Sequence, residues 1–224
     1  MITLKTPVYG DIAIPDGLTD LDSFLRWRHS EGIPEKLKAH YLRGRVWVDL
    51  HMEELFSHNQ VKAALGLTLA GIIASEDLGL YIPDGMLLRN DAADLATEPD
   101  VMFVSHETLA SGAVRTAAGK MRGAKATILV GTPDMVVEVV SPSSEDDDAE
   151  WLMSAYHDAG IPEYWLIDAR GEQVRFDIYI HGPKGYRASR KSGGWVKSKV
   201  FARTFRLTRT GGRHGVPVYT LGVR

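Results

Sequence analysis

Two carboxylates in apolar surroundings set the chemical question. Glu138 interrupts the run Met135, Val136, Val137, Val139, Val140 within GTPDMVVEVVSPSS, and Asp100 stands directly before Val101, Phe103 and Val104 in TEPDVMFVS. Both runs read as buried strands, rich in β-branched residues and bounded by Pro, Asp or Ser. An ionised carboxylate there is costly unless it is paired, protonated, placed at the strand's mouth or bound to a cation. Two of them, 38 positions apart in the chain and brought together on neighbouring strands, repel each other unless a cation lies between them. Mg²⁺ or Mn²⁺ suits such a site: hard oxygen ligands, one or two carboxylates, retained water and phosphate oxygens completing the shell. A cation so held acidifies water and stabilises charge on a phosphodiester. The competing reading is structural, since a Glu paired with an Arg or capping a helix also interrupts an apolar strand.

The elements that must present these groups can be traced along the chain. MEELFSHNQVKAALGLTLAGIIA reads as a long helix with Leu55, Val61, Leu65, Leu69 and Ile72 on its apolar face. Glu54, His58 and Lys62, spaced by four, project from it in one row. Such a row is what a solvated helix face carries; turned toward a cleft, it supplies a ligand, a base and a cation. TDLDSFLRWRHSEG reads as a capped helix starting at Thr19 or Asp20, and GRVWVDL as a half-buried strand. Short strands are expected around GLYI, GMLLRN and ATILV, with DAADLATE and AVRTAAGKMRGAK as loops. SSEDDDAEWLMSAYHDAG is a helix with acidic residues in its first turn and Ala149, Leu152, Met153 and Tyr156 as its buried stripe, followed by the strand IPEYWLID. Asp146, Asp147 and Asp148 read as helix-start residues favoured by the dipole.

Of the 224 residues 44% are hydrophobic, enough for one sizeable core, and no repeat or linker interrupts them, so residues 1–224 are expected to form a single domain. Within it, 1–75 is a helical and strand-containing N-terminal part, about 45–180 the core, and 184–224 a β-rich extension. The chain has no cysteine, which excludes disulfides, thiol nucleophiles and Cys-ligated zinc and fits a reducing cytoplasm. No leader-like start and no apolar stretch of membrane-spanning length is evident, so a soluble protein of the cytoplasm is expected. The net charge of -3 is unevenly distributed: eleven Lys or Arg and no Asp or Glu fall between Lys184 and Arg224. That leaves fifteen basic against twenty-nine acidic residues before them, a formal -14. Tyr186, Trp195, Phe201, Phe205 and Tyr219 are interleaved with the basic residues, as on a surface that holds phosphates and stacks on bases. Lys197, Lys199, Arg203 and Arg206 are the candidate nucleic-acid contacts. Packing of this segment against the acidic remainder, or against a second subunit, explains the same complementarity.

EPDV, then GTPDMVVEVVSPSS, then Y…AGIPEYWLID, in that order, resemble the Uma-type family of restriction endonucleases within the PD-(D/E)xK nuclease superfamily. The resemblance covers Asp100 to Asp168 and extends upstream through YLRGRVWVDLHMEELFSHNQVK and PDGMLLRN. It implies an α/β, restriction-endonuclease-like core with a mixed central sheet flanked by helices. It also implies Mg²⁺ or Mn²⁺ held by Asp100, Glu138 and the backbone carbonyl of Val139, with His58 approaching the same cleft. The implied activity is hydrolysis of DNA phosphodiester bonds, with RNA as a second candidate substrate, and cutting both strands implies a homodimer. One departure is plain. The superfamily's lysine is absent two positions after Glu138, where Val140 stands, and from Glu145 to Tyr156, where Leu152 occupies its later position. Lys62 is the first replacement because it shares a helix row with His58; Lys120, Arg122 and Lys125 are others. Without a lysine, the alternative is a catalytically degenerate nuclease fold kept as a nucleic-acid-binding or assembly module. An unrelated carboxylate hydrolase fits less well, since no nucleophile elbow, Walker loop or dinucleotide fingerprint occurs.

Overall fold

The computed structural model describes residues 2–6, 9–34, 37–49, 54–118, 126–141 and 146–224, with 146–149 as helical backbone. A hairpin of β1 (Ile2–Thr6) and β2 (Gly10–Ile14) leads to α1 (Leu21–Arg28), β3 (Lys38–Leu42) and β4 (Arg45–Asp49). A π-helical turn (Leu55–Asn59) runs into α2 (Gln60–Ser75), followed by β5 (Gly79–Pro83), β6 (Leu87–Asn90), β7 (Leu95–Thr97) and β8 (Val101–Ser105). Then come α3 (His106–Ser111), β9 (Val114–Ala117), β10 (Ile128–Gly131), β11 (Met135–Val139), α4 (Asp146–Asp158), β12 (Glu163–Asp168) and β13 (Arg175–Ile180). The cationic region forms β14 (Arg187–Ala188), β15 (Lys191–Ser192), β16 (Trp195–Lys197), β17 (Thr204–Gly211) and β18 (Pro217–Val223).

These elements make a mixed α/β structure. One six-stranded sheet has the order β14-β13-β12-β11-β8-β5. It is parallel between β11 and β12 and antiparallel elsewhere. A second, ordered β4-β3-β7-β6-β10-β9, is parallel only between β10 and β6. The C-terminal strands β15 to β18 form an antiparallel sheet of their own. Where one mixed sheet flanked by helices was expected, two mixed six-stranded sheets are present.

Alternation along β11 explains how the sheets pack. Met135, Val137 and Val139 face α2 (Val61, Leu65, Leu69) and the C-terminal sheet (Phe205, Leu221). Val136 faces the other way, onto Leu88 and Leu95 of the second sheet and Tyr156 of α4. Full burial of each such valine contributes about 2 kcal/mol. Because side chains alternate, Glu138 shares the face of Val136, between α4 and the second sheet. On the second sheet's outer face, α1 covers Leu37, Tyr41, Leu87 and Ile128. It starts at the expected Asp20, whose Oδ1 accepts from the Ser23 amide at 2.7 Å while Ser23 Oγ accepts from the Asp20 amide at 3.2 Å.

Some expectations change. DAADLATE contains β7, AVRTAAGKMRGAK opens with β9, and HETLAS is the short helix α3. KAHYL, whose sequence shows neither a helical nor an alternating pattern, is β3. Lys120, Arg122 and Lys125, and the side chains of Asp146, Asp147 and Asp148, lie outside the described residues.

Candidate active site

Asp100 sits at the entrance of β8, just beyond the last β8–β11 pair, Val101 with Val137. This places it beside the C-terminal end of β11. Asp100 is 5% exposed, and its Oδ2 accepts from the Val139 amide at 2.8 Å. The Val140 amide instead donates to Ile167 O, at 2.8 Å on the β12 side. The N–H and C=O of one strand residue point the same way, so the Val139 carbonyl shares the Asp100 side. Asp100 thus meets the Val139 backbone, and its charge reaches Glu138.

The helix row delivers two more groups. Glu54 does not enter the site; its carboxylate caps the π-helical turn by accepting from the Ser57 hydroxyl and from the Phe56 and Ser57 amides, which hold its pKa down. That turn, closed by Asn59 N–H donating to Glu54 O at 3.0 Å, leads into α2 and carries His58. His58 is 4% exposed with Nε2 3.5 Å from Asp100 Oδ2. One turn later, Lys62 Nζ lies 3.5 Å from Asp100 Oδ1. Lys62, the first candidate replacement for the absent lysine, therefore lies beside Asp100.

Two residues not singled out from the sequence join it. Asp84 Oδ2 accepts from Lys62 Nζ at 2.7 Å and from Lys38 Nζ at 3.0 Å, and Lys38 Nζ is also 3.9 Å from Asp100 Oδ1. Asp84 Oδ1 is buried and accepts no hydrogen bond from the described residues. Pro83-Asp84-Gly85 opens the PDGMLLRN stretch of the family resemblance, but its residue types signal a turn and not a site, and Lys38 lies on β3.

The carboxylates respond oppositely to these surroundings. Burial pushes Asp100 up, but the His58 hydrogen bond and the charges of His58, Lys62 and Lys38 outweigh it and hold its pKa below the usual carboxylate value. Glu138 is pushed up to about 8, first by burial and then by the charge of Asp100, while its hydrogen bond from Tyr156 pulls the other way. Residual exposure of Glu138 lets water act against that rise. Behind it runs a buried relay. The Tyr156 hydroxyl donates to Glu138 Oε1, the Thr97 hydroxyl bonds Tyr156, and His40 Nδ1 meets Thr97 Oγ1 at 2.9 Å. His40 stacks on Trp47 at 5.0 Å, and burial lowers its pKa to about 4, so the ring is neutral at ordinary pH.

Among the described residues no group of three or more acidic or histidine side chains is arranged to hold a metal ion. What is present is two adjacent carboxylates, a strand-end carbonyl on the same side, and an orphaned buried oxygen on Asp84. This matches a hard cation that keeps several waters, and the residues fit Mg²⁺ or Mn²⁺.

The basic residues of the C-terminal sheet do not meet this site. Val196, Phe201 and Phe205 pack on the face of β11 that carries Met135 and Val137, opposite to Glu138. The Lys199 amide donates to Glu163, at the far end of β12 from the Glu138 partner Leu166. Arg203 pairs with Glu76 at 2.6 Å, Arg206 lies over Trp195 at 4.9 Å, and Lys197 is exposed.

The family profile described as "Uma2: Putative restriction endonuclease" matches residues 21–208, which include Asp100, Glu138 and every group just described. The chain belongs to the Uma2 family. Its fold is similar to the crystal structure of "a putative nuclease belonging to DUF820 from Anabaena variabilis ATCC 29413", with a TM-score of 0.58 at 16% identity, covering 82% of this chain and 90% of that one. At that identity the likeness speaks for the fold alone. No curated protein matches this Uma2 chain. No helix among its described residues is long and apolar enough to cross a membrane.

Proposed function

We propose that this Uma2 protein is a divalent-metal-dependent endonuclease that hydrolyses DNA phosphodiester bonds on a restriction-endonuclease-like core. The observation that carries the reading is the meeting of Asp100, Glu138 and the Val139 backbone at adjacent strand ends, with the Lys62 ammonium 3.5 Å from Asp100. Asp100, Glu138 and the Val139 carbonyl would hold Mg²⁺ or Mn²⁺, with Asp84 Oδ1 beside them. A cation there supplies Lewis-acid stabilisation of phosphoryl charge and acidifies water. Lys62, anchored by Asp84, orients the attacking water and offsets charge on phosphate oxygens. His58 fixes Asp100 from the opposite side. Tyr156 fixes the rotamer of Glu138 through the Thr97–His40 relay. Lys197, Lys199, Arg203 and Arg206 would contact nucleic acid away from the cleft, and a homodimer would present two sites to the two strands.

The second reading, a nuclease fold retained for binding, is favoured by Leu152 at the family's later lysine position. Incubation with supercoiled, linear and single-stranded DNA in Mg²⁺ or Mn²⁺, beside Glu138→Ala and Lys62→Ala, separates the two. Cleavage by the wild type that both variants lose supports the nuclease with a relocated lysine. Absence of cleavage on every substrate supports the binding module.

A further inference from the structure

The outer face of the second sheet holds a cavity of ≈ 310 Å³ that shares no residue with the carboxylate site. Its walls are built by pairing register. Arg115 of β9 pairs with Val130 of β10, and Val130 pairs on its other side with Arg89 of β6. Laterally paired side chains leave a sheet on the same face, so Arg115 and Arg89 rise on either side of Val130, about 10 Å apart across three strands. The next row, Ala117 beside Ile128, continues an apolar floor. From above, α1 contributes Leu25 to the wall and Asp22, Arg26 and His29 to the rim, residues whose spacing of three to four puts them on one helix face.

The charges are unequal in role. Arg89 is already committed: its Nε donates to Asp91 Oδ1 at 2.6 Å and its Nη1 lies 2.9 Å from Asp22 Oδ1, which fixes the guanidinium as a rigid wall. Arg26 and Arg115 are exposed and lie within 4 Å of no described carboxylate, although the charge of Arg26 acts on Asp20. Three guanidiniums thus border one cavity that contains a single carboxylate, Asp22. Guanidinium forks bind phosphate in two-point fashion and stack on planar rings, and Ile128, Val130, Leu25 and Ala117 offer the apolar surface a ring covers. The volume is at the lower end of small-ligand sites, roughly 300–1,000 Å³.

We infer that this cavity binds a phosphate ester of a nucleoside, either as a free nucleotide or as the phosphorylated end of a nucleic-acid strand. Arg115 and Arg26 take the phosphate, and the base lies on the Ile128–Val130 floor. The inference is independent of the proposed cleavage and is tested on the Glu138→Ala protein, which leaves any nucleic-acid probe intact under that reading.

The experiment is calorimetric titration at low salt with AMP, adenosine, inorganic phosphate and a 5′-phosphorylated single-stranded oligonucleotide. AMP is expected to bind wild type and Glu138→Ala equally, and at least about tenfold more tightly than phosphate or adenosine alone. Arg115→Ala and Arg26→Ala, both at exposed positions, are each expected to weaken AMP binding about tenfold without shifting the melting temperature. Displacement of AMP by the 5′-phosphorylated oligonucleotide, with none by its unphosphorylated twin, identifies a strand end as the source; no displacement by either identifies a free nucleotide. The inference is overturned if AMP does not bind, if phosphate binds as well as AMP, or if neither arginine substitution changes the affinity.

Discussion

Glu138 and Glu163 occupy adjacent, parallel strands of one sheet, and they show two ways to keep a glutamate inside a protein. Glu163, opposite Met135 at the start of β12, is fully buried. It accepts from Trp165 Nε1 and Ser198 Oγ, each at 2.6 Å, and from the amides of Lys199 and Val200 at 2.7 and 3.2 Å. Burial raises its pKa, and each of these donors pulls it back. Glu138, opposite Leu166 toward the other end of β11, has one donor among the described residues, Tyr156, and a negative neighbour, Asp100. A carboxylate saturated with donors is a clamp; here it ties the C-terminal sheet to the central one. A carboxylate with few donors and a like charge beside it is poorly served by its own protein and well served by a cation.

Substitutions should separate the pair most sharply. Glu138→Ala is expected to reduce cleavage roughly 1,000-fold, the scale of losing a principal electrostatic element of a site, while leaving thermal stability without the cation unchanged or higher. Plasmid cleavage and melting curves on one preparation read both. Glu163→Ala should do the reverse. Four donors, two of them buried and two partly buried, lose their acceptor, at a cost of about 3 kcal/mol or more in urea unfolding, and cleavage per folded molecule persists.

Titration sharpens the same contrast. With its folded pKa raised to about 8 from an ordinary 4.5, Glu138 keeps a proton in the folded state that the unfolded chain releases. Its contribution to stability without the cation is therefore full below about pH 4.5 and falls as pH rises toward 8. Glu138→Gln should remove that part of the slope, and unfolding measured between pH 5 and pH 8 in chelator, buffer conditions of about two titration spans, checks it. Tyr156→Phe removes the donor behind Glu138, and a loss of roughly tenfold in Mn²⁺ affinity is expected, as for outer partners of metal ligands. The smallest effect belongs to Arg203→Ala. Its pair with Glu76 is partly exposed, so the change in unfolding free energy should be about 0.5 kcal/mol or less.

Much of the site can be read from the chain, for identifiable reasons. Glu138 and Asp100 stand out because β-branched runs on both sides make a carboxylate anomalous, and Lys62 follows from its i+4 relation to His58. Lys38 is hidden because β3 buries four consecutive residues, His40 among them, and shows no alternation of polar and apolar positions. Asp84 is hidden because a Pro-Asp-Gly sequence signals a turn whatever its carboxylate does next. Tyr156 is correctly placed in the buried stripe of α4, yet that stripe conceals a hydroxyl used by Glu138. The excess of positive charge in the tail is legible, but where it points depends on tertiary packing: Arg203 turns to Glu76 and Lys191 to Asp177.

The most direct test of the central claim is thermal unfolding of wild type and Glu138→Ala across a Mn²⁺ titration. If Asp100 and Glu138 hold the cation, the wild type should gain about 2.7 kcal/mol at a concentration 100 times the dissociation constant, and Glu138→Ala should gain almost nothing. Equal stabilisation of both proteins, or none in either, would contradict it.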